Sequence, residues 1–298
     1  MGTILVTGAS GFLGKELIKQ LLQKGDTVIG VDKNEFPNTA LSNGNKFIFI
    51  KQYINENLLE VLNEYDIDFI YHLAAQLNNS SSLTFEDFYA SNVLTTLCLT
   101  KLAKQKNTKV FLLASTCSIF GLINNDEVLD EESVPNPTDY YGLSKYISEK
   151  ILLKELENYQ TRAIIMRFTS IFGKDDKYGL VNTLFNLAKN SEDIELFSKG
   201  SKYRNLLYIT DAVDVLTNIL SRYGHLGQSE IFMVGSKDSI TVKLIAENIV
   251  KLLNSQSRII LSEKIASFDN DSHINVKKAI DKLAFDPMTI ETALTKYI

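Results

Sequence analysis

The chain is poor in the residues that announce special chemistry on their own. Its 298 residues include 2 cysteines, 3 histidines, 4 prolines and no tryptophan. The cysteines, Cys98 and Cys117, offer neither a disulfide framework nor a zinc-ligand spacing, and the histidines, His72, His225 and His273, show no ligand pattern, so no metal site is expected. His72 ends an apolar run and reads as a satisfied core residue. Positive charge is not in excess: 31 Lys+Arg against 36 Asp+Glu leave −5, the wrong sign for a nucleic-acid surface. No apolar run is long enough to span a membrane, and the sequence opens directly on the strand-like GTILVTG. A cytoplasmic enzyme or binding protein is the expectation, with no membrane or nucleic-acid partner.

The residues that are abundant follow a rhythm. Short apolar runs at 3–6, 27–31, 46–50, 67–73, 109–115 and 162–168 alternate with helical patterns at 13–24, 56–64, 84–106 and 140–159. Continuous apolar strands separated by helices predict a parallel sheet covered on both faces, an α/β doubly wound sheet of the Rossmann type. The stretch 33–45 reads as loop. Beyond about residue 170 the rhythm loosens: helices are predicted at 179–190, 210–222, 241–253, 275–283 and 288–297, and strands at 194–197, 205–209, 230–234 and 257–261. The predicted division is a dinucleotide-binding domain over 1–168, to which segments near 203–235 return, and a smaller α/β substrate region over 169–298.

The stretch TGASGFLG, residues 7–14, crowds Gly8, Gly11 and Gly14 into one bend between a strand and a helix. Unpaired N–H groups and the helix dipole favour a pyrophosphate at such a helix start. Gly8 permits the turn, Gly11 lets backbone reach phosphate, and Gly14 lets the helix pack close. With Phe12 and Leu13 these form the phosphate side of a dinucleotide site. Asp32 ends the next strand eighteen residues after Gly14, near the usual spacing of about 20 for an acid on the adenosine ribose. A carboxylate there accepts from the 2′- and 3′-hydroxyls and repels a 2′-phosphate, so NAD is favoured over NADP.

Tyr141 and Lys145 in YGLSK stand at i and i+4 and share one face of a helix. An ammonium beside a phenol favours phenolate, lowering the tyrosine pKa and giving a base for a substrate hydroxyl while hydride leaves the same carbon. Tyr140 is a rival by adjacency, but Lys145 lies off its face. Helices 84–106 and 140–159 also carry more apolar residues than one stripe needs, among them Phe85, Phe88, Leu97, Leu99, Tyr146, Ile147, Leu152 and Leu153. A homodimer is expected from that surplus.

The spacing TGxxGxxG, with HLAA at 72–75, Asn92 in SNVLTT, STCSIFG at 115–121, YGLSK at 141–145, RNLLYITD at 204–211 and LAFDP at 283–287, resembles the extended short-chain dehydrogenase/reductases. Within them it is similar to the NAD-dependent nucleotide-sugar epimerases and dehydratases, over the whole chain. The resemblance implies that Thr116 is the catalytic hydroxyl, although Ser115 and Ser118 are close by, and that Asn92 supports the active site and cofactor loop. It implies that Lys145 also touches the nicotinamide ribose and that Arg204 clamps the substrate diphosphate, for which a guanidinium fork is suited. It also implies that Ser170 stands where an asparagine usually contacts the nucleotide-sugar. Asp211 reads as the N-cap of helix 212–222.

Departures from the pattern narrow the chemistry. The acid pair that dehydratases carry after the catalytic threonine is replaced by Cys117 and Ser118, and FTSIFGKDDKYG lacks the histidine of C3/C5 epimerases. Tyr53 replaces an acid that often meets adenine. Oxidation or reduction at one carbinol, commonly C4, remains, as a 4-epimerase or a 4-keto reductase/oxidase. An NAD(H)-sensing, non-catalytic protein and a reductase of non-nucleotide carbonyls are the alternatives. Intact Thr116, Tyr141 and Lys145 speak against the first, and Arg204 against the second.

Overall fold

The computed structural model describes residues 2–37, 46–122, 127–176, 179–265 and 271–298. The six apolar runs become strands β1 (Thr3–Thr7), β2 (Thr27–Asp32), β3 (Phe47–Lys51), β4 (Phe69–His72), β5 (Val110–Thr116) and β6 (Arg162–Phe168), joined by β7 (Ser229–Val234). They form one seven-stranded sheet in the order β7-β6-β5-β4-β1-β2-β3. The chain starts at the middle, winds outward one way through β2 and β3, then crosses back through β4. Leu5 of β1 lies opposite Ile29 on one side and Ile70 on the other, both pairings parallel. A side chain enclosed from both faces must be apolar, which is why these strands show no polar alternation.

Helices α1 (Phe12–Gln23), α2 (Glu56–Leu62), α3 (Phe85–Phe88), α4 (Thr95–Lys106) and α5 (Tyr140–Leu156) belong to the same compact unit. Leu58, Leu99, Leu102 and Leu152 pack with Leu5, Ile70, Phe111 and Ile165 into its core. Each such side chain contributes about 2 kcal/mol of burial. The predicted helix 84–106 is interrupted: a π-helical stretch, Tyr89–Leu94, separates α3 from α4. Residues 33–37 carry no helix or strand, and the rest of the expected loop, 38–45, lies outside the described residues.

Two compact units divide the chain: Met1–Gly121, Val134–Arg167 and Val213–Phe232 make the first, and Leu122–Ser133, Phe168–Ala212 and Met233–Ile298 the second. Residues 203–212, expected to return with the segment after them, belong to the second unit, as does the unannounced excursion 122–133. The second unit is built of strand pairs: Ser170–Phe172 with Leu206–Tyr208, Ile194–Leu196 with Ile259–Leu261, Tyr203–Arg204 with Ile240–Thr241, and Val128–Leu129 with His273–Ile274. Among the described residues, α6 (Leu180–Lys189), α8 (Val242–Leu252), α9 (Lys277–Leu283) and α10 (Ile290–Tyr297) lie wholly in it, while α7 (Ile209–Arg222) crosses the division. Asp211 is not an N-cap, because α7 begins at Ile209. Its buried carboxylate sits in the first turn and accepts the Met288 N–H at 2.8 Å.

Among the described residues no helix is long and apolar enough to cross a membrane, and no cluster of metal-ligating side chains occurs. The apolar surplus on α3–α5 is smaller than the sequence suggests. Phe88, Leu99 and Leu152 are spent inside the chain. Tyr89, Leu94 and Tyr140 are exposed instead, and the Phe85 ring lies against those of Tyr89 and Tyr140.

Candidate active site

The glycine loop joins β1 to α1. Gly8 has φ +72°, and a Cβ on it would stand 2.7 Å from the Ala74 nitrogen. A Cβ on Gly14 would reach within 2.1 Å of the Gly8 carbonyl oxygen, so Gly14 lets α1 start directly against the loop. At Gly11 a Cβ would meet only the Gly8 oxygen, at 3.1 Å. No side chain caps α1, and its first backbone bond runs from the Lys15 N–H to the Gly11 carbonyl at 3.1 Å. The amides of Phe12 and Leu13 therefore have no acceptor within the helix. This bare, positively poled helix start fits a pyrophosphate.

Asp32 closes β2 beside the loop. Its Oδ2 accepts the Ser10 N–H at 3.0 Å and its Oδ1 the Asn34 N–H at 2.9 Å. The carboxylate is thereby oriented, with further acceptor capacity on both oxygens. That arrangement suits two ribose hydroxyls. Tyr53, just beyond β3, is 68% exposed.

Thr116 is the last residue of β5 and begins a short 3₁₀ turn, Cys117–Phe120. Its Oγ1 accepts the Ser118 N–H at 3.1 Å and donates to the Ser118 Oγ at 3.1 Å. Tyr141 and Lys145 lie on α5, whose N-cap Asp139 accepts the Gly142 N–H at 2.7 Å. Gly142 has its own role: a Cβ there would stand 2.5 Å from the Ser118 carbonyl oxygen. Glycine thus seats α5 on the turn that holds Thr116. The rival Tyr140 is 55% exposed. Ser115 points away from these groups, to the buried carboxylate of Glu149.

The electrostatics differ from the expectation in one respect. Tyr141 is expected to have a lowered pKa on account of Lys145. In the chain by itself desolvation pushes the phenol up to about 12, and the opposing, lowering influence is its hydrogen bond with Thr116. Lys145 is only 2% exposed, and burial draws its ammonium down to about 8. His72 is fully buried and held neutral, its pKa near 3, first by desolvation and then by the Lys145 charge. Its Nδ1 and Nε2 share hydrogen bonds with the hydroxyls of Thr7 at 2.8 Å and Thr95 at 3.3 Å. Thr7 immediately precedes the glycine loop, so one buried histidine ties that loop to the surroundings of Lys145.

Asn92 sits in the π-helical stretch, where an extra residue per turn redirects side chains. Its Oδ1 accepts the Gln76 N–H at 2.7 Å, and its Nδ2 donates to the Gln76 carbonyl at 3.2 Å and to the Ser144 Oγ at 2.9 Å. It fastens the segment after β4 to α5. The buried face of α5 is polar where it carries the site, at Ser144, Lys145, Ser148 and Glu149, and apolar beyond, at Leu152 and Leu156.

Ser170 and Arg204 belong to the second unit. Ser170 is exposed on a strand in register with Leu206, two residues from Arg204. The Arg204 Nη1 donates to the Tyr203 carbonyl at 2.8 Å. Between them Asn205 is buried, its Nδ2 donating to the Ser236 and Asp238 carbonyls and its Oδ1 accepting the Ser236 N–H at 2.8 Å. Asn205, Ser144, Gln76 and Gly142 carry no signal in the sequence beyond lying inside or near recognised motifs.

Residues 4–235 match the family described as NAD dependent epimerase/dehydratase family. The dTDP-4-dehydro-6-deoxyglucose reductase of Escherichia coli is 27% identical over 96% of this chain and 93% of its own length. An uncharacterized UDP-glucose epimerase of Bacillus subtilis is 27% identical over 99% and 96%. The solved structure of UDP-glucuronic acid 4-epimerase from Bacillus cereus, in complex with UDP-glucuronic acid and NAD, shares the fold, with TM-score 0.85 and 23% identity over 99% of this chain and 97% of that one.

Proposed function

The chain belongs to the NAD dependent epimerase/dehydratase family, whose cofactor is NAD, and on that premise we propose that it oxidises or reduces one sugar carbinol, at C4, of a nucleotide-sugar. The observation that carries this reading is the grouping on one unit of Thr116 at the end of β5, Tyr141 with a buried Lys145 one turn further along α5, and a bare glycine-loop helix start. Tyr141 holds and moves the proton of the sugar hydroxyl at its phenol oxygen. Thr116 orients that hydroxyl and keeps the phenol directed at it. Lys145, charged below about pH 8, supplies the positive field that phenolate needs. When bound, oxidised NAD supplies the hydride acceptor and a further positive charge. Asp32 holds the adenosine ribose hydroxyls, and the Phe12 and Leu13 amides the pyrophosphate. Arg204 pairs with the substrate diphosphate, and Ser170 offers the sugar a short hydrogen bond.

Dehydration is disfavoured because Cys117 is no acid: desolvation lifts its thiol to about 12. C4 is supported by the names of the relatives, which include a 4-epimerase and a reductase of a 4-dehydro sugar. The exposed Tyr89 and Leu94 of the π-helical stretch and Tyr140 at the start of α5 support a homodimer, and light scattering at micromolar concentration checks it. The function itself is tested by incubating the protein with NAD or NADH and a panel of UDP-, dTDP-, CDP- and GDP-sugars, with C4 configuration read by NMR. Turnover of one panel member at C4 is expected. Turnover confined to non-nucleotide carbonyls, or NAD binding with no turnover at all, contradicts the reading.

A further inference from the structure

Behind the reacting groups lies a buried ion pair that the mechanism above does not use. Glu149 and Arg167 are 1% and 3% exposed. The Arg167 Nη2 donates to Glu149 Oε2 at 2.9 Å and its Nε to Oε1 at 3.2 Å. The guanidinium lies over the Phe120 ring, 5.3 Å from its centroid. Burying two charges is costly, and an apolar pair of similar volume stabilises a fold as well or better. The contacts of this pair point to a use other than stability. The Ser115 Oγ donates to Glu149 Oε1 at 2.5 Å, and the Cys117 Sγ donates to the Arg167 carbonyl at 3.6 Å. Ser115 and Cys117 are the two chain neighbours of Thr116. Glu149 in turn stands one helical turn beyond Lys145 on the buried face of α5.

We propose that Glu149 and Arg167 are positioning residues of the catalytic centre: through the Glu149 carboxylate the pair holds Ser115, one chain neighbour of Thr116, in place, and it sets that carboxylate one turn from the Lys145 ammonium. The pair joins three elements, β5, α5 and β6, that carry or flank the reacting groups. The charges facing Lys145 are consistent with this. Glu149 on its own helix favours the ammonium, while His72 from β4 stays neutral. Facing Glu149 are Lys145, Arg167 from β6, and the hydroxyl of Ser115 and neutral thiol of Cys117 from the end of β5.

The inference rests on Thr116, Tyr141 and Lys145 being the reacting groups, but its charge component is testable without substrate or cofactor. Removing both partners, Glu149→Gln with Arg167→Met, leaves no unpaired buried guanidinium. Lysine labelled at Cε, with the Lys145 signal assigned by its loss in Lys145→Met, reports the titration directly. The double variant is expected to titrate at lower pH than wild type; a purely structural pair would change the melting temperature and leave this midpoint in place. Ser115→Ala keeps the ion pair and frees one neighbour of Thr116. On the panel sugar that is turned over, its kcat is expected to fall about tenfold with KM changed less than about twofold. An unmoved Lys145 midpoint in the folded double variant, or a wild-type kcat in Ser115→Ala, overturns the proposal. If Tyr141→Phe itself retains wild-type turnover, it is the catalytic reading that fails.

Discussion

The two units differ in how they hold their functional side chains. In the first, Thr116, Lys145 and Asn92 end up almost wholly buried, each fixed by a hydrogen bond or a neighbouring charge. The elements beneath them are long, and β5 alone runs seven residues inside a sheet paired on both edges. In the second, Ser170 and Arg204 stand at or near the surface, on strands of two or three residues that pair two by two. Groups that must be placed to a fraction of an ångström sit on rigid, enclosed elements, whereas groups that select a substrate can sit on short ones open to change. On the proposed function, chemistry belongs to the first unit and substrate choice to the second.

That contrast breaks most visibly at Lys145 and Arg204. Lys145→Met is expected to lower turnover by at least ~10², as loss of acid–base assistance does, and to weaken NAD binding at the same time. Arg204→Ala is expected to raise KM for the nucleotide-sugar about 10- to 100-fold, the loss of one charge-assisted hydrogen bond, and to leave NAD affinity alone. Steady-state kinetics and cofactor titration on both variants separate the units. A rise in NAD dissociation constant for Arg204→Ala would merge them.

Smaller effects sharpen the account of the first unit. Asp32→Ala is expected to cost NAD binding about 1–3 kcal/mol by leaving ribose hydroxyls unpaired, and wild type is expected to bind NADH more tightly than NADPH. Isothermal titration decides both. Lys145 also leaves a mark on stability. Its pKa is about 8 when folded, against 10.5 for an ordinary solvated lysine, so between these values the unfolded chain binds a proton that the native one does not. Stability of the wild type relative to Lys145→Met should therefore rise with pH across that window, by about 1.4 kcal/mol per unit. Urea unfolding of the two proteins at about pH 7.5 and about pH 10, either side of most of that window, measures it. A gap that stays constant would place the ammonium in solvent.

The sequence made the first unit more legible than the second for the same physical reason. Doubly covered strands need unbroken apolar runs, and a loop that meets a pyrophosphate needs glycine, so TGASGFLG, Asp32 and YGLSK stand out. The interruption at Tyr89–Leu94 does not, because one added residue per turn barely disturbs the apolar pattern. Strand pairs such as Tyr203–Arg204 with Ile240–Thr241 are too short for any periodicity. The Glu149–Arg167 pair joins residues eighteen apart in the chain by tertiary contact alone, and Gly142 matters only because the Ser118 carbonyl is there. Asp211 shows the opposite failure: an acid near a helix start invites a capping role, yet it serves Met288.

The central claim, that Tyr141 moves the proton of a sugar hydroxyl, is tested most directly by Tyr141→Phe. The substitution keeps the ring against Phe88 and removes only the phenol oxygen. With NAD and the nucleotide-sugar that wild type turns over, reduced-nicotinamide absorbance or product formation is expected to fall by at least ~10², while NAD affinity changes little. Wild-type turnover in Tyr141→Phe would contradict the account.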